Sequence, residues 1–394
     1  MRLAGALPTR EVRIEAFERA ARAARERDDV VVICVVRLHV DEPACHLLHW
    51  NLPSSPDVGA TVPREGRPLQ SSRMSRVAAI DLGTNSTRLL VADVDNGRIS
   101  DLARETRITR LGEGVDERRR LLPGPIARVR NVLTDFRRSA ESLGAERTLA
   151  IATSAVRDAE NGEAFLGEVE WSYGFATRLL SGHEEALLTF RGVTSERTLE
   201  QGTVIVDIGG GSTELIAGGR DGIRWRDSLD IGSGRLTERF LHSDPPTQDE
   251  LDAAAAAVRA LLAERVADEI RSDTSSAIGV AGTITSLAAL AFGLDEYDRE
   301  RVHGSELSTD ALEEQLQRLA SVPLDERRGM RPLDPDRASV IVGGAVVARE
   351  VLAYFGLDKL EISERDILDG AALAAAELQE HEEGAVPPSA HTCC

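Results

Sequence analysis

Twice in this chain an apolar run ends in an aspartate, turns through glycine and hydroxyl residues, and enters a second apolar run. The copies are "AAIDLGTNSTRLLVADV" at 78–94 and "VIVDIGGGSTELIAGG" at 204–219. Apolar stretches on either side of a short glycine turn read as a β-hairpin. A hairpin that recurs after a long interval implies two similar units, each built on its own copy. The segments downstream of each copy fit that reading. After the first come an extended run near Ile99 to Ile108, a helix from Pro123 to Leu143, the strand "TLAIATS", a helix from about Ala155, the strand "FATRLLSG" and a helix from His183 to Val193. After the second come "IRWRDSLDIGSG", a long helix from Gln248 to Arg271, the strand "AIGVAGTITS", and helices at Thr309 to Leu319, Pro335 to Tyr354 and Asp369 to Gln379. Alternating strands and helices predict an α/β protein in layers. The division expected is a first domain over 74–195, a second over 196–380, and a tail over 381–394. Residues 1–73, rich in Pro, Ser and Gly toward their end, read as an extension, either disordered or an upstream start misread.

Three turns ask for one chemical explanation: Gly83, Thr84, Asn85 and Ser86 after Asp81; Gly209, Gly210, Gly211, Ser212 and Thr213 after Asp207; and Gly282 with Thr283 in "GVAGTITS". Small residues let backbone N–H groups approach an anion, and hydroxyls add donors at low steric cost. Asp81 and Asp207 occupy equivalent places in the repeat, so two domains facing across a cleft would bring two carboxylates to a phosphate and a hard cation such as magnesium. The net charge of −19 disfavours nonspecific nucleic-acid or membrane-surface binding, so an anion site has to be local. Lys359 is the only lysine among 47 basic residues, which leaves arginine forks for gripping phosphate. The four cysteines, Cys34, Cys45, Cys393 and Cys394, sit near the ends and set up no disulfide framework. The longest aliphatic run, Val30 to Val36, is too short to span a bilayer, and a cytoplasmic location is expected.

The segment from about Met74 to Leu378 resembles the exopolyphosphatase and guanosine pentaphosphate phosphohydrolase (Ppx/GppA) family, in its short two-domain form. The resemblance rests on "AAIDLGTNSTRLLVADV", "ATSAVRDAENGEAFL", "LLSGHEEALLTFRGV", "VIVDIGGGSTELI" and "GVAGTITSLAAL", in that order. It implies a duplicated actin-like (ribonuclease H-like) fold with an active-site cleft between domains. It also implies magnesium or another divalent cation, a homodimer, and removal of the terminal phosphate from inorganic polyphosphate or from guanosine pentaphosphate (pppGpp). Carried over residue by residue, Glu185 would activate water, Asp207 would hold metal and water, Asp81 would be its counterpart in the first domain, Glu214 a further acid at the phosphate turn, either touching the metal or supporting the site structurally, and Arg157 a grip on phosphate. Glu184 lies about 100° from Glu185 around a helix and reads as a solvated carboxylate at the helix start. Arg88, Arg191 and Arg235 are weaker candidates for a track along a longer anion. A kinase on the same fold and a non-catalytic polyphosphate or alarmone sensor are the competing classes.

Overall fold

The computed structural model describes residues 74–378; the expectations for 1–73 and for the tail at 381–394 lie outside the described residues. Two mixed sheets carry the fold. The first has the order β3-β2-β1-β4-β5, from β1 (Ser75–Leu82), β2 (Ser86–Asp95), β3 (Arg98–Ile108), β4 (Arg147–Ala152) and β5 (Ala176–Leu179). The second has the order β10-β11-β9-β6-β7-β8, from β6 (Thr203–Ile208), β7 (Thr213–Gly219), β8 (Gly222–Leu229), β9 (Ser276–Val280), β10 (Glu306–Ser308) and β11 (Lys359–Ile362). In both, three antiparallel strands run into a parallel set: β1 pairs with β2 antiparallel and with β4 parallel, as β6 pairs with β7 and β9. The second sheet differs only by the edge strand β10. This is the duplicated actin-like α/β fold.

The central strands are apolar on both faces because both faces are covered. Along β1, Ala78, Ile80 and Leu82 meet Val129, Leu133 and Phe136 of the helix Pro123–Ser142, while Val77 and Ala79 meet Ile367, Leu368 and Ala371 of the helix Ile367–Ala376. Along β6, Val204, Val206 and Ile208 join a core with the helices Gln248–Arg265, Ala281–Ala291 and Ile341–Phe355, while Ile205 packs with Ala186 and Val193 of the helix Gly182–Val193. The chain therefore exchanges helices. Gly182–Val193 comes after the first set of strands yet covers the second sheet, and Ile367–Ala376, at the end of the second half, covers the first.

These two helices cross in close contact. A Cβ at Gly370 would fall on the carbonyl oxygen of Leu188, and one at Gly192 on that of Asp366, so the crossing is built backbone against backbone.

Three helix expectations shift. The long helix from Gln248 divides into Gln248–Arg265 and Asp268–Asp273, where Val266 is extended and its carbonyl accepts from the Tyr354 hydroxyl at 2.9 Å. The helix expected from Pro335 begins at Ile341, because residues 331–340 form tight turns, with Arg337 N–H donating to the Asp334 carbonyl at 2.9 Å. The helix expected from about Ala155 is a single turn, Ser154–Arg157, with Gly162–Tyr173 after it.

Candidate active site

Asp81 and Asp207 sit near the carboxyl ends of β1 and β6, the edge where open α/β sheets hold their ligands. Both adjoining turns close the same way: Gly83 N–H donates to the Ser86 carbonyl at 3.0 Å, and Gly209 N–H to the Ser212 carbonyl at 3.0 Å. They face each other closely; a Cβ on Gly210 would lie 3.0 Å from the Asn85 backbone nitrogen, and one on Gly211 2.9 Å from Thr84 Oγ1. The parallel neighbours add their own ends. Ser154, after β4, shares a hydrogen bond of 2.8 Å with Thr84, and Gly282 and Thr283 come after β9.

Between these segments lies a cleft of about 490 Å³. Its lining includes Asp81, Gly83, Thr84, Asn85, Ser86, Glu185, Asp207, Gly209, Gly210, Ser212, Glu214, Gly282 and Thr283. Three expected site residues stand outside the lining. Thr213 commits its hydroxyl to the Ile231 carbonyl at 2.5 Å, Gly211 packs against Thr84 and Ser154, and Arg157 lies behind Glu185, paired with it and donating to the Leu180 carbonyl at 2.9 Å.

Four acids gather here with almost no exposure: Asp81 at 4%, Glu185 at 3%, Asp207 at 6% and Glu214 at 3%. Burial pushes all four carboxyls above their ordinary range, Asp207 to about 8, and the charge of Glu214 adds to the effect at Glu185 and Asp207. Opposing this, Arg157 pairs with Glu185, Arg88 donates to Asp81 at 2.9 Å, Thr189 to Asp207 at 3.0 Å, and Ser228 to Glu214 at 2.7 Å. A carboxyl raised in the folded state binds protons more tightly there than when unfolded, so its contribution is complete below the unfolded pKa and is lost as pH rises through the folded one. For Asp207 that window runs from 3.8 to about 8. Asp207→Asn is accordingly expected to melt above the native chain near the upper end of the window and to lose the advantage near its lower end; a melting difference independent of pH would contradict this origin.

Glu184 behaves as expected of a helix start. It accepts from Ser181 N–H at 2.9 Å in a capping box and from Arg178 at 2.7 Å, and these bonds hold its carboxyl down to about 2. Among the weaker arginines, Arg191 pairs with Glu377, Arg235 with Asp158, and Arg88 with Asp81 and Asp366; of the three only Arg88 lines the cleft.

Arg337 is the residue that sequence reasoning missed. It lines the cleft, its guanidinium lies over Gly282, and burial lowers its pKa below the usual arginine value. Its signal was the "RPLDPDR" stretch, where two prolines and two aspartates favour a looped segment that can carry a side chain inward.

The third turn stores strain. Ala281 has φ of 65°, in the left-handed region that side chains disfavour, immediately before the N–H groups of Gly282 and Thr283. Ala281→Gly should raise stability by about 1 kcal/mol, read as a higher denaturant midpoint at unchanged slope. An unchanged or lower midpoint would place the strain elsewhere.

Among the described residues no three His, Cys, Asp or Glu side chains are grouped so as to hold a metal by themselves, and no helix is long and apolar enough to cross a membrane.

Paired acidic turns across a cleft in a duplicated actin-like fold define a phosphate-handling protein. Comparison with known proteins narrows the class. The model of the Ppx/GppA phosphatase family matches residues 90–377, and the chain belongs to that family. It is 43% identical over 321 residues to exopolyphosphatase 2 of Mycobacterium tuberculosis, an alignment covering 77% of this chain and 99% of the relative. Among solved structures, the Ppx/GppA family member of Aquifex aeolicus superposes with a TM-score of 0.66 at 31% identity, covering 77% of this chain and 98% of that one. An exopolyphosphatase of Cytophaga hutchinsonii superposes with a TM-score of 0.70 at 26% identity, covering 75% and 96%.

Proposed function

We propose that this chain is an exopolyphosphatase that hydrolyses the terminal phosphoanhydride bond of inorganic polyphosphate and releases orthophosphate. The observation that carries the reading is the gathering of Glu185, Asp207 and Asp81 around one cleft edged by three small-residue turns. Identity to a mycobacterial exopolyphosphatase over nearly its whole length supports the choice of substrate.

In this reading the terminal phosphate rests on the backbone N–H groups of Thr84, Asn85 and Ser86 and of Gly210 and Ser212, with Gly282 and Thr283 as the third edge, while the Gly83 and Gly209 N–H groups close the turns. Asn85 adds a buried side-chain amide that has no partner among the described residues, suited to donate to a phosphate oxygen. Glu185 takes the proton of the attacking water, in line with the bond to be broken. Arg157 holds Glu185 in one orientation and favours its ionised form, and Arg337 offsets charge on the phosphate oxygens. A divalent cation fits beside Asp81, whose Oδ1 is buried with no hydrogen-bond partner among the described residues. Asp207 is the second carboxylate available to it and Glu214 stands beyond, with water and phosphate oxygens completing the shell, as is usual for magnesium. When bound, the cation neutralises charge on the phosphate oxygens and lowers repulsion among the buried acids. A cytoplasmic homodimer completes the reading, tested by sedimentation and cell fractionation.

The deciding experiment is phosphate release by the purified chain in magnesium buffer, with long polyphosphate, tripolyphosphate, guanosine pentaphosphate and ATP offered in parallel. Release from polyphosphate supports the assignment. Release from guanosine pentaphosphate alone moves it to alarmone hydrolysis, and release from none leaves a kinase or a sensor.

A further inference from the structure

Arg88 lines the cleft, and each nitrogen of its guanidinium already meets a carboxylate. Nε donates to Asp81 Oδ2 at 2.9 Å, Nη2 approaches the same oxygen at 2.8 Å, and Nη1 pairs with Asp366 Oδ2.

Asp366 divides its two oxygens between two tasks. Oδ1 accepts from Leu368 N–H at 2.9 Å and caps the helix Ile367–Ala376; Oδ2 holds Arg88. The first task belongs to the helix start; the second joins that helix start to β2 at the cleft. The side chain is 7% exposed and lines the cleft, and although burial works against its charge, Arg88 and Arg104 keep the carboxyl below its ordinary range. A full negative charge thus faces a cleft built for an anion and occupies one arm of its arginine fork.

We propose that Asp366 sets the affinity of this cleft for phosphate chains by competing with the ligand for Arg88. A phosphate oxygen can take the Nη1 hydrogen that Asp366 holds only by displacing that carboxylate, and the displaced charge stays beside it. The cost falls on binding, so a preset arginine comes with weaker retention of substrate and product. The proposal rests on the reading of the cleft as a phosphate site.

The test is calorimetric binding of tripolyphosphate in magnesium buffer to the native chain, Asp366→Asn and Asp366→Ala, with hydrolysis measured alongside. Asparagine remains a good cap while removing the charge. Asp366→Asn should bind about tenfold more tightly, the low end of what one charge-assisted hydrogen bond is worth, with a matching fall in KM. Asp366→Ala should show a similar gain together with a lower melting temperature from the lost cap, which separates charge from capping. Unchanged or weaker binding by Asp366→Asn overturns the proposal and makes Asp366 a support for Arg88, as does the absence of binding by all three proteins. A native chain that binds tripolyphosphate without hydrolysing it defeats the exopolyphosphatase reading instead, and the competition for Arg88 is still read from the binding constants.

Discussion

Glu185→Gln is expected to lower kcat on polyphosphate by about 10²- to 10⁴-fold, the usual contribution of a positioned general base, while leaving tripolyphosphate binding largely intact. Glutamine keeps the size of the side chain and an oxygen that can accept from Arg157, so the ion pair behind the cleft becomes a neutral hydrogen bond without leaving a hole. What it cannot do is take a proton. In phosphoryl transfer most of the rate comes from positioning and electrostatics, which the turns, Arg337 and a cation would still supply, so a residual rate well above that in water is expected. The pH profile gives a second readout. Burial and the charge of Glu214 hold the Glu185 carboxyl well above its ordinary range, so the native rate should climb with pH as that group ionises, and the variant should lose this limb. Full activity in the variant, or an unaltered acid limb, would remove Glu185 from the chemistry and turn attention to Asp207.

Gly370→Ala should be among the most damaging single methyls in the described residues. The new carbon would overlap the Leu188 carbonyl, which belongs to a helix backbone and cannot swing aside as a side chain would. The helices Gly182–Val193 and Ile367–Ala376 would have to separate, and each covers the opposite sheet. Overpacking of this kind costs about 1–3 kcal/mol and occasionally more, so a fall in melting temperature of about 5 °C or more is expected. Activity should fall further than stability, because the parting helices carry Glu185 at one end and Asp366 at the other. Gly167→Ala is the control: it lies exposed in the helix Gly162–Tyr173 with nothing near its Cβ position, and should be neutral or slightly stabilising. Equal melting of the two variants would show that the crossing relaxes easily.

The hairpins are legible in the sequence because their information is local: apolar alternation, glycine turns and a carboxylate at the strand end lie within a few residues of one another. The duplicated fold comes from finding that pattern twice. Glu184 is legible for the same reason, since Ser181 and Glu184 form a capping box within one turn. The exchange of helices is not. An apolar helix such as Ile367–Ala376 says that it will be buried, and nothing in its period says against which sheet. Arg337 is hidden because a proline can open a helix as readily as a turn; here the turns at Asp334 to Arg337 delay the helix and carry the guanidinium inward. The commitments of Arg88 and Arg235 depend on carboxylates far away in the chain, at Asp366 and Asp158, and no spacing rule announces such partners.

In the first hairpin Asp81 stands opposite Arg88 across the strand pair, and in the second Asp207 stands opposite Glu214. The two copies thus agree at one position and carry contrary signs at the next. A perfect twofold would offer a linear anion the same surroundings whichever way round it lay, and nothing would tell its end from its interior. With a cation on one wall and an acid on the other, the cleft acquires a direction. An enzyme that trims a chain from the tip needs such a direction, and here it arises where two halves of like shape have parted in sequence.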